Sequence, residues 1–351
     1  GKRTIGHVFA ALIGNSDEFL KALQLIEHQS THPLHQFARW WKYIPTRANR
    51  KLAQAFKTID TVLYQLIHQA KNNPSFKNSD LSESNGSHIL GLLLHSSKKL
   101  DTELPPLTEQ EVRDNLLALI VNGHETVATT MAFSLFLLAQ HPEKMACAQA
   151  EIDSVMAKDT GQLTPKNLSQ LHYLDSVLTE VLRYAPAVAG LQRIGQASNV
   201  LGNWSTPAQQ VVGITLGPLH RDPKYFGQWP EQFHPERYLS ESDLFEHVKA
   251  ERKCPLHKFW APSHEIAHDN IEPDTSGIHK PLTFGDGARK CLGEHFALHE
   301  MKVALATLCY HFDFQVAPNA EAELELGKFG LFLSTFPKNG IDLIIRRRVA
   351  R

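Results

Sequence analysis

Apolar residues recur at helical spacing in most long segments of the chain, and proline or glycine separates these segments. Residues from about 33 to 72 predict two helices around a turn at 43–46. A polar stretch over residues 72–87 predicts a loop, and residues 142–156 and 168–184 predict two further helices. The pattern indicates a mainly helical protein.

The most pronounced helical pattern covers residues 107–143. Thr108 and Glu111 form a capping box at its start, and Pro142 marks its far end. About 30 residues at ~1.5 Å each give a rod of roughly 45–50 Å, long enough to cross a domain or a membrane. Three polar residues interrupt its middle: Asn122, His124 and Glu125. Because a charge in lipid costs several kcal/mol, the pattern favours a buried central helix over a transmembrane one.

A short β-prone region follows at residues 187–216, where glycine and proline separate runs such as QQVVGITL. This pattern is typical of small sheets and not of a doubly wound core. The closing residues 330–348 predict a terminal hairpin. The predicted fold class is therefore mainly α with minor β, and the length of 351 residues allows one large domain or two modest ones.

The composition is that of an ordinary soluble globular protein, with 42% hydrophobic and 21% charged residues among 351. A net charge of -1 gives no overall field that would indicate nucleic acid or an anionic membrane as partner. Four cysteines are too few for a disulfide scaffold, which favours a reducing compartment, the cytoplasm or the cytoplasmic face of a membrane. Lys2 and Arg3 before a short apolar stretch resemble a signal peptide only loosely.

The segment FGDGARKCLG, residues 284–293, places Cys291 among three glycines before an apolar helical run. A phosphate-binding loop would need glycine where Lys290 stands, and zinc would need further ligands near the cysteine. A catalytic thiol would need a histidine base, for which His295 and His299 are candidates. A buried structural thiol is the usual fate of a lone cysteine. The last two interpretations remain open at this point.

A thiolate bound axially to haem iron accounts for every residue of this segment. Close approach of the backbone to a flat macrocycle requires small residues, which Gly285, Gly287 and Gly293 provide. The helix predicted to start near Gly293 directs free N–H groups and its dipole towards the sulfur, which stabilises negative charge there. Arg289 is placed to pair with a haem propionate.

The same ten residues resemble the FxxGxRxCxG signature of the cytochrome P-450 family, the haem-thiolate monooxygenases. All five specified positions match: Phe284, Gly287, Arg289, Cys291 and Gly293. The resemblance extends over nearly the whole chain and implies the family's fold, a helical bundle with a long central helix and small β-sheets. It also implies a single catalytic domain over residues 1–351 that is incomplete at its N-terminus, because the sequence begins after the family's opening helices and strands. A membrane anchor, where the family has one, belongs to that missing part.

Two motifs downstream of the long helix strengthen the resemblance. EVLR supplies Glu180 and Arg183 one helical turn apart, and FHPERYL supplies Arg237, with LHRDP between them. In the family these three residues form a buried network that supports the haem-side core. Removing one partner of such a network strands a buried charge, at a cost of about 3–5 kcal/mol.

The long helix carries NGHETV, which resembles the family's oxygen-activation motif, [AG]Gx[DE]T. Gly123, Glu125 and Thr126 are in register, and the resemblance implies a helix bulge that makes space for dioxygen beside an acid–alcohol pair that relays protons. Glycine inside a helix costs about 1 kcal/mol relative to alanine, so its presence needs such a reason. Asn122 and Val127 depart from the family's pattern without removing the acid–alcohol pair.

Weaker matches make Arg193 a second propionate candidate and give His220 a structural role. Three apolar stretches match regions that line substrate pockets in the family: residues 187–192, 119–122 and 331–332. A longer insertion after Arg237 contains a cluster that is a weak candidate for zinc: Cys254, His257, His264 and His268.

The resemblance implies an oxidoreductase that inserts one oxygen atom from O2 into a C–H bond of a lipophilic small molecule, with Cys291 as the axial ligand of haem b. Electrons originate from NAD(P)H and arrive through a separate ferredoxin or flavin reductase, because the chain shows no flavin or iron–sulfur motif. Lys290 is a candidate for steering that donor. Two alternatives are a peroxide-dependent or isomerising haem-thiolate enzyme, against which Glu125 and Thr126 argue, and a non-catalytic truncated haem- or ligand-binding remnant.

Overall fold

The structure is a computed structural model, and it describes residues 16–30, 40–72, 89–99, 105–158, 163–239, 279–318, 326–329, 334–337 and 340–348. The helices are α1 Ser16–Ser30, α2 Arg47–Asn72, α3 Ile89–Lys99, α4 Glu109–Gln140, α5 Pro142–Lys158, α6 Pro165–Leu168, α7 His172–Tyr184, α8 Leu216–Leu219, α9 Pro223–Phe226 and α10 Glu294–His311. Single turns of 3-10 helix lie at Trp41–Tyr43, Pro235–Tyr238, Leu282–Phe284 and Gly287–Arg289. The strands are β1 Gly190–Ile194, β2 Asn199–Leu201, β3 Trp204–Thr206, β4 Val211–Thr215, β5 Phe312–Val316, β6 Leu326–Phe329, β7 Ser334–Pro337 and β8 Leu343–Arg347.

The chain divides into two compact units, residues 1–124 and 125–351, with the boundary inside α4. The single domain expected from the sequence therefore stays a prediction. The mainly helical class with minor β is confirmed.

The first unit is built on α2, whose apolar residues follow one face of the helix. The fully buried members of this stripe are Ile59, Leu63, Leu66 and Ile67. Burying each such side chain contributes about 1.5–3 kcal/mol, and all four belong to the hydrophobic core of this unit. The predicted turn at residues 43–46 is confirmed, and α1 and α3 are helices that the periodicity did not single out.

Helix α4 begins with the predicted capping box. The backbone N–H of Thr108 donates to Glu111 Oε2 at 2.7 Å, and the N–H of Glu111 donates to Thr108 Oγ1 at 3.2 Å. Val112 and Leu116 lie in the core of the first unit, whereas residues 122–124 are exposed. Among the described residues, α4 alone is long and apolar enough to span a membrane, a test that rests on length and composition. The predicted burial therefore holds towards the ends of the helix and not at its middle.

The core of the second unit lies between α5, α7 and α10, which pack against one another. Helix α7 buries Leu174, Val177 and Val181 completely, at the spacing of one helix face. The predicted end of this helix before Pro186 is confirmed. Helix α10 begins three residues after Cys291, so its packing against α5 and α7 fixes where the cysteine loop meets the core.

The strands form four antiparallel pairs: β1–β4, β2–β3, β5–β8 and β6–β7. The predicted terminal hairpin is wrong, because β8 pairs with β5 and β7 pairs with β6. Strand β5 follows α10 directly and buries Phe314 in the core opposite Ile345 of β8. The apolar pattern identified the last strands but did not specify their partners.

Candidate cofactor site

The loop before Cys291 turns on two glycines with left-handed backbone angles. Gly285 has φ +70° and Gly287 has φ +71°, a region that other residues rarely adopt. Asp286 lies between them and caps the 3-10 turn 287–289, because its carboxylate accepts the N–H of Gly287 at 2.7 Å. The loop is therefore set by backbone geometry and one side-chain cap.

A backbone hydrogen bond closes the loop, from the N–H of Cys291 to the carbonyl of Phe284 at 2.8 Å. The ring of Phe284 packs against the core of the second unit, which anchors the loop. Cys291 is a free, exposed thiol, and its neighbour Leu292 is 91% exposed. A Cβ on Gly293 would lie 4.0 Å from the sulfur, so glycine there keeps one side of Sγ clear.

Helix α10 begins close to the cysteine in sequence. This helix has 18 residues, and the free N–H groups of its first turn, together with its dipole, lie just after Cys291. Lys290 is ion-paired with Glu294 at 2.6 Å across one turn. The positive charge of Lys290 is therefore compensated by Glu294.

Two arginines approach the loop. Arg289 is exposed, and its guanidinium has no hydrogen-bonded or ion-paired partner in the described part of the chain. Arg193 on β1 donates to the carbonyl of Gln192 at 2.9 Å, and its Nη2 lies 3.8 Å from the point that a Cβ of Gly285 would occupy. The two predicted propionate partners are therefore brought to the same loop as Cys291.

The alternative of a catalytic thiol finds no support in this geometry. His295 and His299 are exposed on α10, and His299 Nδ1 lies 2.7 Å from the carbonyl of His295. Neither imidazole forms a hydrogen bond with Cys291 within the described ranges. No group of three or more metal-ligating side chains was found among those residues, and the predicted zinc cluster at residues 254–268 lies outside them.

The structure brings Glu180, Arg183 and Arg237 together in a buried network. Arg183 forms a bidentate pair with Glu180, with Nε–Oε2 2.8 Å and Nη2–Oε1 2.7 Å, and both side chains are fully buried. Nε of Arg237 lies 3.3 Å from the same carboxylate. The N–H of His234 also donates to Glu180 Oε1, at 2.7 Å. The carboxylate thus receives donors from two guanidiniums and one backbone amide.

The remaining donors of the two guanidiniums bond backbone carbonyls. Arg183 donates to three carbonyls at 2.6–2.9 Å: His220, Pro230 and Gln232. Arg237 donates to the carbonyl of Phe226 at 2.5 Å and reaches three more at 3.2–3.5 Å: Gln228, Trp229 and Gln232. Because each buried donor has an acceptor, the network holds the chain from 220 to 237 around the end of α7.

A second buried cluster adjoins the first and was not predicted. Glu236 accepts from Lys144 Nζ at 3.0 Å and from the hydroxyl of Tyr173 at 2.8 Å, and His234 Nδ1 lies 3.1 Å away. Burial opposes ionisation of Glu236, but the hydrogen bond from His234 and the charge of Lys144 outweigh it and lower its pKa to about 2. Nothing in the local sequence of Lys144 or Tyr173 indicates this partner, which lies on a distant segment.

Side chains from distant segments cap the last carbonyls of α7, which have no partner within the helix. The hydroxyl of Thr283 donates to the carbonyl of Leu182 at 2.8 Å. Nδ1 of His220 lies 3.2 Å from the carbonyl of Arg183, and Arg221 Nη2 reaches that of Tyr184 at 3.3 Å. Of these, the sequence indicated only a structural role for His220.

The oxygen-activation motif lies on a continuous stretch of α4. Glu125 and Thr126 are half-buried, and the carbonyl of Thr126 accepts the hydroxyl of Thr130 at 2.8 Å. The helix runs without interruption from 109 to 140, so the bulge implied by the resemblance is not present. A Cβ on Gly123 would meet nothing within 4 Å, so the described residues give no packing reason for glycine there.

The residues present fit a haem. A flat ligand over the sulfur needs an accessible thiol, small neighbours and cationic side chains at its edge, and the loop offers Cys291, Gly293 and Arg289 in these roles. Of the predicted pocket-lining stretches, 187–192 is half-buried apart from the buried Ala187, 119–122 is half-buried apart from the exposed Asn122, and 331–332 lies outside the described residues. A mainly helical fold with such a loop corresponds to the class of haem-thiolate proteins.

Comparisons with known proteins agree with this class. The sequence profile of cytochrome P-450 matches residues 12–342. Cytochrome P-450 97B2, chloroplastic, of Glycine max is 32% identical over 337 residues, which cover 92% of this chain and 55% of that protein. Cytochrome P-450 3A9 of Rattus norvegicus is 31% identical over 244 residues, which cover 69% of this chain and 42% of that protein. The chain spans about half the length of the curated relatives it matches.

Solved structures show the same fold. A crystal structure of a cytochrome P-450 (CYP102L1) superposes with a TM-score of 0.72 at 23% identity, over 94% of this chain and 65% of that one. The retinoic acid bound cyanobacterial CYP120A1 gives 0.69 at 24% identity, over 94% and 62%. The chain belongs to the cytochrome P-450 family, whose members are haem-thiolate oxidoreductases that bind haem b.

Proposed function

We propose that the chain is the haem-thiolate part of a monooxygenase that inserts one oxygen atom from O2 into a C–H bond of a lipophilic small molecule. The exposed thiol of Cys291, in a loop cleared by glycines at the start of α10, carries this proposal. Family membership supports it, since cytochrome P-450 relatives match over most of the chain.

Cys291 would bind the iron of haem b through its thiolate. The bound haem would supply the activation of dioxygen, and an electron-donating thiolate ligand would favour that chemistry. Arg289 and Arg193 would hold the propionates, as the free guanidinium of Arg289 and the approach of Arg193 to Gly285 support. Phe284, Gly287 and Gly293 shape the loop, and the network of Glu180, Arg183 and Arg237 fixes the core beside it.

Glu125 and Thr126 of α4 would hold and pass the protons that the reaction needs. Their half-buried positions suit groups that exchange protons with water. The space beside Gly123 is open, since no described residue outside the neighbouring turns of its own helix comes within 4 Å of the position of its Cβ.

Electrons from NAD(P)H reach the haem through a separate ferredoxin or flavin reductase. A compartment that keeps thiols reduced, the cytoplasm or the cytoplasmic face of a membrane, suits the free, exposed Cys291, whereas the disulfide-bonded Cys147 does not support it. Two of the relatives carry the word chloroplastic in their names, so a plastid location is the alternative to test.

The test is the ferrous carbon monoxide spectrum of the haem-reconstituted protein. We expect the red-shifted Soret band of thiolate ligation in the unaltered chain and in Cys309→Ala, which removes the other described free thiol, buried and remote from the loop. Product formation from a lipophilic substrate with O2, NAD(P)H and a reductase should accompany that band. Turnover with peroxide alone would instead favour a peroxide-dependent enzyme, and absence of the band in the unaltered chain would contradict the proposal.

A further inference from the structure

His220 is a fully buried histidine that connects the end of α7 to the cysteine loop. Its Nε2 accepts the backbone N–H of Leu282 at 3.0 Å, and its Nδ1 lies 3.2 Å from the carbonyl of Arg183. Since an amide can only donate, Nε2 is unprotonated, and Nδ1 must carry the proton to bond the carbonyl. One tautomer of the neutral imidazole therefore satisfies both contacts.

A short series of backbone hydrogen bonds leads from this imidazole to the thiol. The carbonyl of Leu282 accepts the N–H of Gly285 at 2.9 Å, which closes the 3-10 turn 282–284. The carbonyl of Phe284 at the end of that turn accepts the N–H of Cys291 at 2.8 Å. The ring of His220 thus holds the first residue of a turn whose last residue holds the cysteine.

The ring itself has little freedom to move. The guanidinium of Arg183 donates to the carbonyl of His220 at 2.8 Å, so the two residues bond each other's backbone. The ring of Phe226 packs edge-on against the imidazole, with centroids 5.5 Å apart. The buried Glu180 network thus fixes the imidazole, which can transmit that rigidity to the loop.

We propose that His220, as its neutral Nδ1–H tautomer, is a positioning residue for the cysteine ligand. It links the Glu180–Arg183–Arg237 network to the Cys291 loop and so fixes the position of that loop relative to the core. This inference rests on the proposed haem-thiolate site, but its structural part concerns the chain alone. Thr283 adds a second tie, to the carbonyl of Leu182, so removing the imidazole loosens the loop without releasing it.

Two amide substitutions separate the contacts of the imidazole. In His220→Gln the side-chain oxygen extends to the Nε2 position and accepts from Leu282, whereas in His220→Asn the amide reaches only the Nδ1 position and serves the carbonyl of Arg183. The hydrogen-exchange rates of the Leu282 and Cys291 amides, in the chain without haem, measure how firmly the imidazole holds the loop. We expect exchange roughly tenfold faster in His220→Asn and close to wild type in His220→Gln.

The amide of His234, which donates to Glu180, serves as the internal control. Its exchange should stay unchanged in both variants, whereas general unfolding would accelerate it together with the loop amides. In the holoprotein, His220→Asn should shift part of the ferrous carbon monoxide complex from the thiolate-ligated to the neutral-thiol Soret position, and His220→Gln should retain the thiolate band.

Equal exchange at Leu282 and Cys291 in wild type, His220→Gln and His220→Asn would overturn the positioning role. So would faster exchange in His220→Asn that extends to His234, since the residue would then act on the whole network. A wild-type holoprotein without the thiolate band, but with the expected exchange pattern, would contradict the proposed function while leaving the role of His220 intact.

Discussion

His220 connects the Glu180 network to the Cys291 loop by hydrogen bonds. The two regions nevertheless differ in whether their polar groups have partners. In the network, Glu180 and Arg183 are 0% exposed, and their donors and acceptors are paired. In the loop, the thiol is exposed, Leu292 is 91% exposed and the Arg289 guanidinium has no partner among the described residues. The first region is complete without a ligand, and the second has the composition of a surface that a ligand covers.

This difference predicts that the residues of the network act in folding and that the side chains of the loop act in cofactor binding. Loss of a network residue should appear as a loss of folding stability, because a buried charge is then left unpaired. Loss of a loop side chain should appear as a loss of cofactor binding with folding almost unchanged. Stability and haem retention, measured on the same variants, therefore distinguish the two regions.

The largest effect is expected from Glu180→Ala, which leaves Arg183 and Arg237 buried without their carboxylate. The free energy of unfolding should fall by about 3–5 kcal/mol, measured by denaturant titration of the chain without haem. Glu231→Ala is the matched control. Glu231 also pairs with an arginine, Arg221, at 2.9 Å, but its side chain is 71% exposed. The control should change stability by about 0.5 kcal/mol or less. Equal effects of the two substitutions would refute the special position of the network.

A smaller loss of folding stability is expected when the pH is lowered, because His220 is buried in its neutral form. Burial, reinforced by the charges of Arg183 and Arg221, lowers the pKa of His220 from 6.5 to about 4. The unfolded chain therefore binds the proton first, so stability is lost as pH falls from the unfolded value through the folded one. Between about pH 7 and pH 5, this group should account for roughly 2 kcal/mol of lost stability.

His220→Gln cannot titrate, so its unfolding free energy should fall by about 2 kcal/mol less than that of wild type over this pH range. Denaturant titrations at the two pH values measure the difference. Glu236, with its pKa near 2, titrates below this range and is common to both proteins. A wild-type curve parallel to that of His220→Gln would show that the imidazole does not carry the acid sensitivity.

The backbone of the loop provides the next comparison, with Gly285→Ala. Gly285 has φ +70° and ψ -172°, a conformation essentially restricted to glycine that should cost alanine about 1–3 kcal/mol, although the contacts of the new methyl group with Leu191 and Arg193 are ordinary at 3.7–3.8 Å. Gly213→Ala on β4 is the control, because it has no described atom within 4 Å and no positive φ. Thermal unfolding should separate the two variants, and an unchanged midpoint for Gly285→Ala would contradict the strained turn.

The smallest effect on stability, with a clear effect on cofactor binding, is expected for Arg289→Ala. Its guanidinium has no partner in the described chain, so unfolding should change by about 0.5 kcal/mol or less. Haem affinity should fall roughly tenfold, because one charge-assisted contact to a propionate is lost. Arg289→Lys keeps the charge and should fall between wild type and alanine. A stability loss equal to that of Glu180→Ala would place Arg289 in the folding network instead.

The sequence predicted those parts of the fold and site that depend on local pattern. The capping box at Thr108, the end of α7 before Pro186 and the start of α10 after Gly293 follow from short-range rules, and the structure has all three. Glu180 and Arg183 are one turn apart, so their contact was also local, and the motif order supplied Arg237.

Contacts between segments that are distant in sequence could not be predicted from the hydrophobic pattern. Strand β8 pairs with β5, where Ile345 lies opposite the buried Phe314. The sequence around β8 does not indicate which strand will be its partner. The ties from Thr283 and His220 to α7 join segments about a hundred and about forty positions apart, and they use residue types that are common in loops. The expected bulge at Gly123 came from the resemblance alone, and the helix there is continuous.

The most direct test of the central claim compares the haem-loaded chain with Cys291→Ser in the reduced, carbon monoxide-bound state. The chain with cysteine is expected to show the red-shifted Soret band and substrate oxidation. The serine variant is expected to lose both while keeping the free energy of unfolding measured without haem. A serine variant with an unchanged spectrum and unchanged turnover would contradict the assignment of Cys291 as the ligand.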